Sequence, residues 1–130
     1  MKRVLAAVLA VVSLAACGGP SRDQREADAM TRAVINNDMR PVMKDIDPTL
    51  KGQITRIRVA ELSDELNSQG AYKGLTDATK EAWCDKTRYT GCYVANFANR
   101  PYQEVIKLGS DGKIQSWWTH AAPQTQTQTQ

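Results

Sequence analysis

All eight aromatic residues of this chain, three Trp, four Tyr and one Phe, lie beyond Gly70. Before Gly70 the apolar residues recur at helical spacing. After it, β-branched and aromatic residues alternate with polar ones and are broken up by turn residues. Consecutive helices followed by consecutive strands make an α+β domain. The expected architecture is three N-terminal helices packed on one face of a curved four-stranded antiparallel meander. At 130 residues the chain has room for one small core, not for a second domain, a large barrel or a dinucleotide-binding enzyme.

Local signals place the elements. Ser21-Arg22-Asp23-Gln24 matches a capping box and opens a helix over about 22–38, with Ala27, Met30 and Val34 on one side and Asn36-Asn37-Asp38 at its end. Pro41 starts a short second helical turn carrying Val42, Met43 and Ile46, which Asp47-Pro48 is expected to terminate. Ile54, Ile57, Leu62 and Leu66 fit one side of a third helix over about 55–68, stopped by Gly70. Strands are expected over 71–82, 88–98, 102–108 and 113–120, the last two joined through Asp111-Gly112. Alternation puts Tyr93, Ala95 and Phe97 on one face of the second strand and sends Trp117 and Trp118 to opposite faces of the fourth.

The N-terminus reads as an address. Lys2 and Arg3 precede an apolar run from Val4 to Ala16 interrupted only by Ser13. Thirteen helical residues cover about 20 Å, short of the roughly 30 Å hydrocarbon core, so residues 1–16 read as a removable signal peptide. The end of the run, Leu14-Ala15-Ala16-Cys17, resembles the lipobox of bacterial lipoproteins. That resemblance implies that Cys17 becomes the first mature residue and carries fatty acyl chains, and two or more such chains make a stable anchor. An ordinary signal peptide ending beside a structural cysteine is the competing reading. Residues 17–22 then form a tether, 23–120 the domain, and the polar Gln-Thr repeat within 121–130 a disordered tail. Gly18, rather than Asp, after the cysteine implies, by resemblance to proteobacterial lipoproteins, an outer-membrane address facing the periplasm. Without Lys2 and Arg3 the chain holds 15 basic against 14 acidic residues, about +1, which gives nucleic-acid binding no electrostatic footing.

With Cys17 lipidated, Cys84 and Cys92 remain as an even pair in an oxidising compartment, and a disulfide is the default. A metal pair lacks partner ligands, since His120 is the sole histidine, and a redox couple would normally show a Cys-x-x-Cys spacing.

A broader resemblance rests on Asn36-Asn37-Asp38, Asp47-Pro48-Thr49-Leu50, Leu66-Asn67-Ser68-Gln69-Gly70-Ala71-Tyr72-Lys73, Cys92-Tyr93-Val94-Ala95-Asn96-Phe97 and the closing run from Leu108 to Trp118. Together these resemble small secreted domains of the cystatin-like cone, the superfamily of nuclear transport factor 2, in its uncharacterised bacterial lipoprotein branch. The resemblance spans about residues 23–119 and implies a sheet and helices enclosing an interior pocket. The superfamily includes enzymes and plain binding modules, so the fold leaves function open.

Chemistry is sparse at the level of sequence. His120 could serve as a rim acid or base but reads better as a surface residue beside the tail. The aspartates at 23, 28, 45, 47, 64 and 85 are scattered over polar faces and turns. No nucleophile elbow, phosphate loop or metal motif occurs, so no catalytic residue, metal or cofactor is expected. Tyr93, Phe97, Trp117 and Trp118 are the candidate pocket or contact residues. The expectation is a membrane-anchored, non-enzymatic periplasmic protein that binds a protein partner or a second copy, for instance as an inhibitor or immunity protein. The alternatives are a carrier of a small apolar ligand in the cone and a cone-fold enzyme.

Overall fold

A computed structural model describes residues 19–124. The expected signal peptide over 1–16, Cys17 and the residues beyond Gln124 lie outside the described residues. Helix α1 spans Arg22–Ile35, a short α2 spans Pro48–Lys51 and α3 spans Arg56–Asn67. Strands β1 (Tyr72–Asp77), β2 (Gly91–Phe97), β3 (Pro101–Leu108) and β4 (Ile114–Ala121) follow, paired antiparallel in chain order as an open meander. No helix among the described residues is long and apolar enough to cross a membrane.

Caps set the helix limits. Ser21 Oγ accepts from the Gln24 amide at 3.1 Å and opens α1. The helix closes three residues earlier than expected, in a Schellman turn: Asn37 takes φ 50° while Asp38 and Asn37 donate backward to the Ala33 and Val34 carbonyls. Asparagine tolerates this left-handed conformation better than most side chains, which is why the helix stops there. Asp47-Pro48 does more than the second expectation asks. Besides following the expected short turn, Asp47 caps a further helix, α2, by accepting from the Thr49 amide at 2.9 Å, and Pro48 occupies the first turn, where it needs no amide hydrogen. The turn before it is a 3-10 segment, Met43–Asp45.

The helices cover one face of the sheet. Helix α1 buries Ala27, Met30, Thr31, Ala33 and Val34. One part of the core joins Ala27, Met30, Val42 and Ile46 to Tyr93, Ile106 and Ile114, and a second joins Val34 and Leu66 to Ala95, Phe97 and Tyr102. Each large apolar side chain buried here contributes about 1.5–3 kcal/mol. Asp47 donates its amide to the Ile114 carbonyl, and Ile46 pairs with Ile114 as a parallel bridge, so the link between α1 and α3 is stitched to β4.

At the chain's change of texture, Gly70 has φ +84°, and a Cβ there would meet the Ala98 Cβ at 2.9 Å. Both the backbone angle and the close approach call for glycine. Strand β1 is shorter than expected. It ends at Asp77, and a loop leads through Cys84, which is joined to Cys92 with Cα atoms 5.9 Å apart. The expected tail also begins late: Ala121 pairs with Tyr102 and Ala122 donates to the Pro101 carbonyl. At the other end, Pro20 accepts from the Arg25 guanidinium at 2.6 Å and Ser21 Oγ lies 3.4 Å from the Tyr93 hydroxyl, so the last residues of the segment expected to be a tether contact the domain.

Candidate functional site

Helix α3 is fastened by its C-terminal half. Leu66 packs into the core, Ser63 and Asn67 donate to the otherwise orphaned Ile35 carbonyl at 3.2 and 2.9 Å, and the Tyr102 hydroxyl donates to Glu65 at 2.9 Å. Its N-terminal half is not held in this way. Ile57, expected on the buried side, is 71% exposed. Between that half and β4 a cleft of about 260 Å³ opens. Met30 and Val34 of α1, Met39, Leu50, Ile54, Val59 and Leu62 form its apolar lining, Trp117 and Thr119 wall it on β4, and Gln53 and Arg58 supply polar groups. The volume falls just below the roughly 300–1,000 Å³ of sites for drug-sized ligands, so the cleft suits a smaller molecule.

The wall residue Trp117 is anchored from behind by Glu104, a residue not singled out from the sequence. Glu104 is fully buried on β3, facing α1. Trp117 Nε1 donates to its Oε1 at 2.8 Å, and Thr31 Oγ1 lies 2.8 and 2.7 Å from its two oxygens and 3.0 Å from the Ala27 carbonyl. One hydroxyl carries one proton. With Glu104 protonated, its O–H donates to Thr31, Thr31 donates to Ala27 and Trp117 donates to the remaining carboxyl oxygen, so each donor is used once. Burial holds the carboxyl in this neutral form, pushing its pKa up to about 8, while the bonds from Trp117 and Thr31 pull the other way. The chain has placed an acid where alternation demands an apolar residue, and the acid fixes the indole that walls the cleft.

A second polar cluster flanks this one. The Tyr72 hydroxyl donates to Asp28 Oδ1 at 2.6 Å, Arg32 pairs with Asp28 at 2.8 Å, and the guanidinium lies 5.1 Å from the Tyr72 ring centre. Burial first, then the bond to Asp28, raises the Tyr72 pKa. Asp28 is thus paired, contrary to its reading as an isolated surface charge.

The other candidates separate. Tyr93 and Phe97 are core residues, 3% and 6% exposed, and do not line the cleft. Trp118 reaches the cleft's edge, but its ring lies on the outer sheet face, 38% exposed. There it stacks on His120 with centroids 4.4 Å apart, and its Nε1 donates to the Tyr89 hydroxyl at 3.1 Å. His120 is therefore part of an outer aromatic stack: it pairs with Gln103 while Thr119 pairs with Glu104, so alternation puts it on the face opposite Glu104. Among the described residues no cluster of three or more His, Cys, Asp or Glu could hold a metal. A signal for Glu104 was present: it shares its parity on β3 with Tyr102 and Ile106, both buried. The cleft had no such signal, because it lies between residues of α1, α3 and β4 that are far apart in the chain.

No protein-family model, curated protein or solved structure matches this chain.

Proposed function

We propose that this chain is a lipid-anchored, non-catalytic binding protein of the bacterial cell envelope, tethered through Cys17, whose cone-like domain holds a small apolar or amphipathic molecule. The observation that carries the ligand reading is the apolar cleft walled by Trp117. Apolar surface lining a concave site is the common form of a small-molecule site, with a few polar groups to orient the occupant. The anchor rests on the lipobox-like run ending in Cys17 and on a disulfide of the kind that persists in oxidising compartments.

Protein purified from its own membranes should release a small apolar molecule in near-equal amount when extracted and weighed by mass spectrometry. A Leu62→Trp variant, which fills the cleft, should release none. Release of no such molecule, or equal release from the variant, defeats the ligand reading. Fractionation tests the anchor separately: Cys17→Ser should move from the membrane to the soluble fraction.

One observation favours a second reading, a protein partner docked on the outer face. The Tyr89, Trp118 and His120 stack gives that face an exposed aromatic cluster of the type that anchors interfaces. A Trp118→Ala variant that loses a partner recovered with the parent protein from solubilised membranes would support it.

A further inference from the structure

The cleft does not end at its apolar floor. Past Met39, Ile54 and Val59, which line both spaces, it continues into a solvent-open hollow of about 880 Å³ bordered by Asp38, Arg40 and Arg56. With Arg58 in the cleft itself, the charged residues around the combined space are three arginines and one aspartate. Asp38 is already engaged: Arg40 Nε and Nη2 donate to its two oxygens at 2.8 Å, and that pairing holds the Asp38 carboxyl down at about 2. Arg56 and Arg58 make no ion pair among the described residues. The first turn of α3, where both stand, contains no acidic residue. The cleft therefore sets an apolar wall at Trp117 and Leu62 beside an unpaired guanidinium at Arg58, while Arg56 stands unpaired at the hollow.

We infer that the occupant of the cleft is a free, medium-chain carboxylate, its chain lying against Trp117 and its head at Arg58. This rests on the ligand reading above and adds the occupant's charge and length. Length follows from volume: at about 30 Å³ of liquid volume per water-sized unit, 260 Å³ accommodates about eight or nine heavy atoms. A chain of that length fills the apolar cleft, and a longer one would have to run out into the open hollow bordered by Asp38, Arg40 and Arg56. Charge follows from the guanidinium, which matches a carboxylate with two parallel donors.

Isothermal titration of the full exported protein with octanoate and with 1-octanol at neutral pH tests both parts. Octanoate should bind about fivefold tighter than octanol, the scale of one partly exposed ion pair. Arg58→Gln should bring the two affinities together, while Lys107→Gln, on β3 and away from the cleft, should leave the preference intact. Equal affinity of the two probes for the parent protein overturns the charge inference and leaves the apolar cleft standing. Binding of neither overturns the cleft as a ligand site as well. Octanoate binding that survives Leu62→Trp at full strength, in a variant whose circular dichroism matches the parent, places the carboxylate elsewhere and also overturns the inference.

Discussion

Helices α1 and α3 belong to the same layer and face the same sheet, yet they do opposite things. Helix α1 buries five residues and packs against all four strands, whereas α3 buries only Ser63 and Leu66 and leans on α1. One helix makes the core and the other makes an opening. The difference lies in the spacing of apolar side chains. On α1, Ala27, Met30, Ala33 and Val34 keep to one stripe, while on α3 the Ile57, Val59 and Leu62 positions spread round the helix and cannot all reach the sheet. A helix with half a stripe is held at one end, and the free end leaves apolar surface for something else to cover.

The contrast can be broken by substitution. The largest effect is expected on the α1 side, where Met30→Ala should cost about 2–5 kcal/mol in urea unfolding, because Met30, although it also borders the cleft, is buried in the core cluster with Tyr93, Ile106 and Ile114. Val59→Ala on α3 should cost less than half as much. Equal costs would mean that the cleft closes in solution. Next comes the staple on the far side of the sheet: Cys84→Ser with Cys92→Ser should cost about 2.5 kcal/mol, the chain-entropy value for a loop of about nine residues.

Glu104 sharpens the comparison, since it couples the packed side to the cleft wall. Its pKa is raised from 4.5 to about 8 in the folded chain. The folded state then binds more protons than the unfolded state between those limits, so stability is greatest below about pH 4.5 and falls as pH rises through about 8. Glu104→Gln keeps an acceptor for Trp117 and should flatten that fall, measured as unfolding midpoint against pH. Glu104→Leu strands the Trp117 N–H and should cost about 1–3 kcal/mol at pH 5, with a red-shifted, less ordered Trp117 emission. The smallest effect is expected at the N-terminal end of α3, where Ile57 is exposed and Ile57→Ser should change stability by less than about 0.5 kcal/mol.

Much of this fold was legible in the chain. The change of texture at Gly70, the strand order and the Asp111-Gly112 turn follow from local chemistry, and Gly112 indeed sits at φ +78°. Asp47-Pro48 is a stop and a start at once: the 3-10 turn ends before it, as expected, and the helix that Asp47 caps after it is the part the sequence reading lacks. The expectation for strand β1 runs too far because it passes over a local stop: Asp77 Oδ1 accepts from the Thr79 amide at 2.8 Å, an Asx turn that leads into the disulfide-held loop. Glu104 was passed over because a charged residue in an alternating strand is normally assigned to solvent, although its parity pointed inward.

The sequence by itself determined the class of fold, the pairing of Cys84 with Cys92 as the default, and the separation of Trp117 from Trp118, because each depends on periodicity, turn geometry or parity along a few residues. Tertiary structure alone decided that one tryptophan walls a cleft, that a neutral acid fixes it from behind, and that two unpaired arginines border the space. Those features arise where α1, α3 and β4 meet, and the free energy that sets their spacing comes from packing between segments far apart in the chain.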